Sequence, residues 1–218
     1  MNSQFKGLPF FAAALVLVGS FFLSCYALFN TIVTIPFTQF SLMSSVLPLS
    51  GLGGIGCAGF VTMGRILLTV LMNESPLSAT VYYIPTLCAS ASWAVTSRFY
   101  APFLSLLCMA LFIAHPVGAQ ASVYTLYWLI PLALTFLPRT IIFARSLTST
   151  FIAHAVGSVL FLYWGPITTA SYWMALIPVV AFERFAFALV MTAAYYAGSY
   201  ALRLVNSFIT RAYLRAAQ

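Results

Sequence analysis

The chain alternates long apolar stretches with short breaks that contain polar residues, proline or glycine. The stretches cover residues 9–29, 31–49, 51–72, 76–95, 102–115, 122–137, 147–164 and 172–205. They lack the strict apolar–polar alternation of a membrane β-strand, so the pattern predicts helices. Because about 20 apolar residues span the ~30 Å hydrocarbon core of a bilayer, stretches of this length are typical of transmembrane helices.

The composition agrees with that pattern. The 218 residues are 63% hydrophobic and include only nine lysines or arginines and two acidic residues. A soluble domain has about a quarter of its residues charged, so this chain lacks the polar surface that a water-soluble globule needs. We therefore predict an all-α fold, a polytopic transmembrane helix bundle of about six to eight membrane segments, with residues 1–218 forming a single transmembrane domain.

Two of the apolar stretches have special features. Residues 31–49 carry several threonines and serines, a glutamine and two prolines, which predicts a re-entrant or broken helix that lines a cavity. Residues 9–29 follow Lys6 in the manner of a signal peptide, but because further spans follow we expect an uncleaved first helix.

The sequence also indicates where two of the helices begin or end. Ser75 and Pro76 are expected to be the N-cap and the first residue of a helix, because serine caps N-termini and proline suits the first position. His115, immediately before Pro116, is expected to cap a helix end.

The net charge of +7 comes mainly from basic residues that stand singly near the ends of the apolar stretches. This placement is typical of topology-determining residues and not of a nucleic-acid-binding surface. A cytoplasmic C-terminal tail containing Arg203 would place Arg98, Arg139 and Arg145 on the same side. We expect a multi-pass protein of the cell (inner) membrane with a cytoplasmic C-terminus, in contact with the lipid bilayer and not with nucleic acid.

The last stretch, 172–205, contains two interior charges, Glu183 and Arg184. Charges near the bilayer centre cost about 2.5–3.5 kcal/mol each, so they must face protein, water or each other. Adjacent helical side chains point about 100° apart, so we expect each to find a partner on another helix. Two interpretations are open. In the functional one, Glu183 or Arg184 contacts a charged substrate. In the structural one, the two charges pin helices together, and Glu183 is paired with Arg65. Pro178 predicts a kink just before the two charges.

Arg65 lies about two-thirds of the way along the stretch 51–72. It either pairs with Glu183 or binds a carboxylate of the ligand, because a guanidinium group can bind a carboxylate through two hydrogen bonds. The two interpretations are equally favoured.

Four polar residues recur at every fourth position in the stretch 147–164 and just before it: Ser146, Thr150, His154 and Ser158. This spacing places them on one face of a helix. A lone histidine is more often a satisfied core residue than a ligand-binding one. Its place among hydroxyl groups makes a cavity-lining role equally expected, so Thr150, His154 and Ser158 are candidate substrate-binding residues.

The aromatic residues cluster near the ends of the predicted spans. We expect most of them, including Tyr124, Tyr127 and Trp128, to form interfacial belts. The pairs Tyr163–Trp164 and Tyr172–Trp173 flank one short turn and are expected to cover an outward-facing pocket. Trp164 and Trp173 therefore complete the candidate substrate-binding set with Glu183, Arg184 and Arg65.

The residues required for most enzyme chemistry are missing. The chain has no aspartate, its two glutamates are far apart in sequence, and its two histidines and four cysteines show no metal-ligand spacing. No glycine-rich loop of the Walker type is present. We expect a protein that is not an enzyme and that holds no cofactor or metal.

The remaining features favour an integral membrane transport protein that binds a small organic solute for uptake. The runs TFIAHAVGS at 150–158 and LIPVV at 176–180, followed by Glu183 and Arg184, resemble the membrane-embedded substrate-binding (S) components of energy-coupling-factor vitamin transporters. The resemblance implies a six-helix bundle that binds a vitamin or micronutrient near His154 and the last helix, with a separate transmembrane coupling subunit and ATPases as partners. The first stretch lacks the Ala-xxx-Ala coupling sequence of many members.

Two alternative functions follow from the same residues. In the first alternative, the chain is a structural or assembly subunit of a larger membrane complex, and the buried charges only pin helices. An intramembrane enzyme is the less favoured alternative, because it needs a set of catalytic residues that the chain does not display.

Overall fold

The computed structural model describes residues 33–35, 38–40, 42–71, 75–165 and 169–216, and these residues are mainly helical. The α-helices are α1 (Ile55–Leu71), α2 (Pro76–Ala94), α3 (Tyr100–Ala114), α4 (Pro116–Gln120), α5 (Leu129–Leu134), α6 (Ile142–Trp164), α7 (Ala170–Ala175) and α8 (Ile177–Ala216). Two 3₁₀ helices span Leu42–Gly53 and Ser122–Trp128, and two short strands are β1 (Val33–Ile35) and β2 (Thr38–Phe40).

The short strands form an antiparallel hairpin in which Val33 is opposite Phe40 and Ile35 is opposite Thr38. This hairpin and the following 3₁₀ helix differ from the broken helix predicted over residues 31–49. The β-branched residues Val33, Thr34 and Ile35 favour an extended backbone, which explains the difference. The predicted first span, 9–29, and the expectation that it is uncleaved lie outside the described residues.

Both predicted helix caps are confirmed. The backbone N–H of Ser78 donates to Ser75 Oγ at 3.1 Å, and Pro76 occupies the first turn of α2. At the start of α4, the backbone N–H of Val117 donates to His115 Nδ1 at 3.3 Å. Helix α4 packs closely against the end of α3, because a Cβ placed on Gly118 of α4 would overlap the carbonyl oxygen of Phe112.

The last predicted helix, 172–205, is divided in the structure. Helix α7 ends at Ala175, Leu176 forms a turn, and α8 begins at Ile177. The predicted kink is therefore a break that lies before Pro178, which occupies the first turn of α8. Proline is tolerated there because the first N–H groups of a helix have no intrahelical partner.

Helix α6 is the centre of the bundle and packs against α2, α3, α5 and α8. Small residues allow this close approach: a Cβ on Gly157 would lie 3.5 Å from Pro85 of α2, and Ser149 Oγ donates to the carbonyl of Ala89 at 3.0 Å. Helix α2 in turn packs against α1 and the first 3₁₀ helix. Backbones that approach this closely are typical of helix contacts in membranes.

Two helices of the described chain, α6 and the portion Ile177–Leu204 of α8, are long and apolar enough to cross a membrane. In the most apolar segment of 18 residues, 61% of the residues of α6 are buried, whereas only 28% of those of α8 are buried. Three shorter apolar helical segments cover Ile55–Leu71, Tyr100–Ala114 and Ser122–Leu134. The helical class is confirmed apart from the hairpin, whereas six to eight membrane segments remain a prediction.

Candidate functional site

The two interior charges of α8 lie at its contact with α6. Arg184 Nη2 pairs with Glu183 Oε2 at 2.5 Å, and the side chains are 11% and 18% exposed. Arg184 Nη1 also donates to the carbonyl of Thr150 at 3.4 Å, and Thr150 Oγ1 lies 3.4 Å from the carbonyl of Arg184. The guanidinium group stands over the ring of Phe187 at 4.7 Å.

This pair corrects the expectation that adjacent charges find partners on different helices. The Cα–Cβ bonds of Glu183 and Arg184 do diverge, but both side chains are long enough for their ends to meet. The ion pair of Glu183 is thus with Arg184 and not with Arg65. Arg184 satisfies the prediction in part, because it also bonds to the backbone of α6.

Arg65 belongs to a different part of the molecule. Its side chain is buried, and the guanidinium carbon lies 5.4 Å from the centre of the Tyr83 ring on α2. The hydroxyl of Tyr83 accepts a hydrogen bond from Thr69 Oγ1 at 3.1 Å. Arg65 therefore helps to join α1 to α2 and does not take part in the ion pair between Glu183 and Arg184.

His154 faces a group of buried aromatic rings that we call the aromatic cluster: Phe112, Tyr124, Trp128 and Trp173. The His154 ring lies 5.4 Å from the ring of Tyr124 and 6.5 Å from that of Trp128. Trp173 contacts Tyr124 at 5.2 Å and Phe112 at 5.1 Å. Most of these contacts are edge-to-face, the arrangement that aromatic pairs favour.

Three nitrogen atoms at this cluster are buried, and each makes no hydrogen bond to any described residue: Trp128 Nε1, Trp173 Nε1 and His154 Nε2. Both indole rings are almost completely inaccessible, whereas the imidazole is partly exposed although its Nε2 is covered. Buried polar atoms normally have a partner, so three in one cluster are unusual. Arg184 Nε, beside the cluster on α8, is a fourth.

Other polar groups of the cluster are satisfied. The hydroxyls of Tyr124 and Ser158 are hydrogen-bonded at 3.2 Å, which ties the second 3₁₀ helix to α6. Tyr127 donates to the carbonyl of Ile177 at 2.9 Å and so holds the start of α8. The polar face predicted on α6 therefore points inward, with Ser146, Thr150 and Ser158 all buried.

The prediction of which aromatic residues lie in interfacial belts and which cover a pocket is partly wrong. Tyr124 and Trp128 were predicted to lie in an interfacial belt but belong to the core, because their rings close the space between α3 and α6. Trp173 is also in the core, whereas Trp164 is 64% exposed and contacts Tyr163. Trp164 and Trp173 thus do not cover a common pocket.

The structure brings most of the predicted site residues together. His154, Ser158 and Trp173 belong to one cluster, and Thr150, Glu183 and Arg184 lie beside it, whereas Arg65 and Trp164 lie elsewhere. Sequence reasoning missed Phe112, Tyr124 and Trp128 as site residues. Tyr124 and Trp128 lie in the second 3₁₀ helix, where residues three apart share a face, so their four-residue spacing gave no signal of a common site.

A cleft of about 60 Å³ lies elsewhere, between the C-terminal end of α2, the start of α3, the segment after α5 and the start of α6. Its walls include Arg98, Arg139 and Arg145, and no residue of the predicted substrate site contributes to it. Among the residues with described positions, no group of three or more His, Cys, Asp or Glu is arranged to hold a metal ion.

No protein-family model matches the chain, and neither a curated protein nor a solved structure matches it.

Proposed function

We propose that this protein is an integral membrane transport protein that binds a small organic solute at the aromatic cluster for uptake. The observation that carries the proposal is the set of three buried nitrogens, on Trp128, Trp173 and His154, that make no hydrogen bond to the described chain. A buried polar atom without a partner costs about 1–3 kcal/mol. Three such atoms in one cluster favour a site where a ligand supplies the missing hydrogen bonds.

The chemistry of the site limits the class of solute. An indole N–H is a donor only, so Trp128 and Trp173 would bind acceptor atoms, such as carbonyl, carboxylate or ring-nitrogen atoms. Neutral imidazole adds a donor or an acceptor at His154 Nε2. The surrounding rings offer aromatic surface to a flat molecule. A small planar compound with several acceptors, such as a vitamin or a nucleobase-like compound, fits this set.

The surroundings favour a membrane location. Several large apolar side chains are exposed at intervals along α8, including Phe182, Phe185, Leu189 and Tyr200, and lipid would cover them. Helices α6 and α8 run antiparallel, because Thr192 bonds to Ser146 while Arg184 bonds to Thr150. In this arrangement Arg203 lies toward the end of the bundle that carries Arg145, which supports the proposal of a cytoplasmic C-terminus in a cell (inner) membrane.

The transport cycle would depend on other proteins. The chain supplies a solute site but no nucleotide-binding sequence, so energy for uptake would come from a separate transmembrane coupling subunit and ATPases. This arrangement is the one implied by the resemblance to substrate-binding components of energy-coupling-factor transporters.

The test is a ligand screen on the purified full-length chain in detergent, read by thermal shift and native mass spectrometry. Vitamins and nucleobase-like compounds are the probes, and we expect at least one to raise the melting temperature. Trp173→Phe keeps the ring and removes the N–H, so we expect about tenfold weaker binding, the equivalent of ~1.4 kcal/mol.

Trp164→Phe is the matched control, because the same substitution at an exposed tryptophan outside the cluster should leave affinity unchanged. Equal affinities for both variants, or a screen without any ligand, would contradict the proposed site.

A second candidate function is a structural subunit of a larger membrane complex. It is favoured by the ion pair between Glu183 and Arg184, since these charges satisfy each other and bond to α6 without any ligand. Under this alternative, Glu183→Gln lowers the melting temperature and Trp173→Phe has no solute-dependent effect. Copurification of a stoichiometric partner with the native protein, together with an empty ligand screen, would favour it.

A further inference from the structure

The cleft between α2, α3 and α6 is built around three arginines, which we call the arginine cleft: Arg98, Arg139 and Arg145. Arg139 forms one wall, because Nη1 donates to the carbonyl of Thr96 at 2.6 Å and Nη2 donates to those of Val95 at 2.9 Å and Ser92 at 3.2 Å. This guanidinium group therefore caps the C-terminal end of α2, where the helix dipole favours a positive charge.

Arg145 forms the second wall. Its Nη2 donates to the carbonyl of Trp93 at 3.3 Å, and the guanidinium carbon lies 4.2 Å from the centre of the Trp93 ring. This stacking fixes the plane of the guanidinium group. Nη1 and Nε of Arg145 have no described hydrogen bond and remain available as donors at the cleft.

Arg98 completes the cleft from the loop between α2 and α3. It is exposed and lies over the neighbouring Phe99 ring at 5.2 Å. Hydroxyl groups of Ser97, Thr135 and Thr148 also belong to the lining. The cleft thus combines two guanidinium groups that are held by the backbone of α2 and its C-terminal end with a third that is exposed at the rim.

The three positive charges have no carboxylate partner among the described residues. The chain has only two acidic residues, Glu74 and Glu183. Glu183 is paired with Arg184, and Glu74 precedes Ser75, the N-cap at the other end of the ~28 Å long α2. Three guanidinium groups that share one concave surface repel each other, and an anion would remove that repulsion.

We propose that the arginine cleft binds a phosphate group, carried by an anionic phospholipid headgroup or by a soluble phosphate compound. Guanidinium groups match the geometry of phosphate oxygens and form charge-assisted hydrogen bonds with them. Basic pockets between membrane helices on the cytoplasmic side bind anionic headgroups in this way.

The rim of the cleft suits a lipid. Phe99, Phe136 and Leu137 are all exposed next to it, so acyl chains attached to a bound headgroup would cover apolar side chains. A soluble phosphate would leave these side chains in water. The exposed apolar rim therefore favours a lipid over a soluble phosphate compound, and the experiment tests the two sources separately.

The experiment compares Arg98→Gln with Arg203→Gln in the full-length protein. Both substitutions remove one exposed arginine charge, but Arg203 lies on α8 and is not part of the cleft wall. One arm measures lipid retained after transfer from bilayers of phosphatidylglycerol and phosphatidylcholine, by native mass spectrometry. The other arm measures the thermal shift caused by inorganic phosphate.

We expect the wild-type chain to retain phosphatidylglycerol in preference to phosphatidylcholine, with about fivefold less retained by Arg98→Gln and no change in Arg203→Gln. If the same difference between the variants appears only with inorganic phosphate, the cleft binds a soluble compound. Equal losses in the two variants would mean that net charge alone attracts the lipid and would overturn the proposal. The proposal would also be overturned if the wild-type chain showed no preference for phosphatidylglycerol over phosphatidylcholine and no thermal shift with inorganic phosphate.

Discussion

Helices α6 and α8 are the two longest apolar helices of the described chain, yet they occupy opposite environments. Helix α6 is enclosed by four neighbouring helices, whereas a much smaller share of the α8 residues is buried. The difference in burial between α6 and α8 is related to the size of their side chains more than to their hydrophobicity. Alanine, serine, threonine and glycine make up much of the buried surface of α6, and large side chains such as Phe182, Phe185 and Leu189 point away from the bundle on α8.

This comparison teaches that apolar content alone does not tell a core helix from a peripheral one. In the proposed membrane location, lipid would be as apolar as a protein core, so large apolar side chains would gain little by moving inward. Close backbone packing and interhelical hydrogen bonds decide the position instead. The bond from Ser149 to Ala89 and the near contact of Gly157 with Pro85 are both made by α6.

The largest expected effect comes from the same substitution on the two helices. Phe151 on α6 is buried in the core and stacks near Tyr127 at 6.0 Å, whereas Phe182 on α8 is 58% exposed. We expect Phe151→Ala to lower the free energy of unfolding by about 3–5 kcal/mol and Phe182→Ala by about 0.5 kcal/mol or less. Chemical unfolding in detergent measures both. Similar losses would show that α8 is covered by protein and not by lipid.

A smaller effect is expected from the charges where the two helices meet. Glu183→Gln leaves the guanidinium group of Arg184 buried without its carboxylate, so we expect a loss of about 2 kcal/mol, reduced by the partial exposure of the pair. The double substitution Glu183→Gln with Arg184→Gln should cost less than the sum of the single ones. A double-mutant cycle in thermal unfolding checks this, and strict additivity would contradict direct coupling.

The smallest effect sharpens the comparison to one hydrogen bond. Thr192 Oγ1 on α8 lies 3.0 Å from Ser146 Oγ on α6 and 2.7 Å from the carbonyl of Ala188. Because the hydroxyl also has a partner within its own helix, we expect Thr192→Val to cost only about 0.5–1 kcal/mol. Ser207→Ala, which removes an exposed hydroxyl bonded within α8, is the control and should be neutral. A neutral Thr192→Val would assign the contact entirely to side-chain packing.

Sequence reasoning predicted the local features of this fold well. Helix ends at Ser75–Pro76 and at His115 depend on the residue and its immediate neighbours, so the chain alone determines them. The spacing of Thr150, His154 and Ser158 correctly predicted one polar face. These features need no knowledge of what packs against the helix.

The features that depend on a partner could not be predicted in the same way. An aromatic residue at the end of an apolar stretch looks identical whether it meets lipid headgroups or, like Trp128, the core of the bundle. The pairing of Glu183 with Arg184 depends on side-chain rotamers, which helical geometry alone does not specify. Val33, Thr34 and Ile35 are β-branched residues within a long apolar stretch, and their local preference for an extended backbone prevailed.

The close contact between Gly118 of α4 and the end of α3 has a consequence for mutational tolerance. A methyl group there would displace the end of α3 and, with it, Phe112, the ring that contacts both Trp128 and Trp173. Gly198 on α8 has open space around its Cβ position and should accept alanine. A saturation scan scored by the yield of folded protein should therefore reject every substitution at 118, a position without a side chain, and accept many at 198.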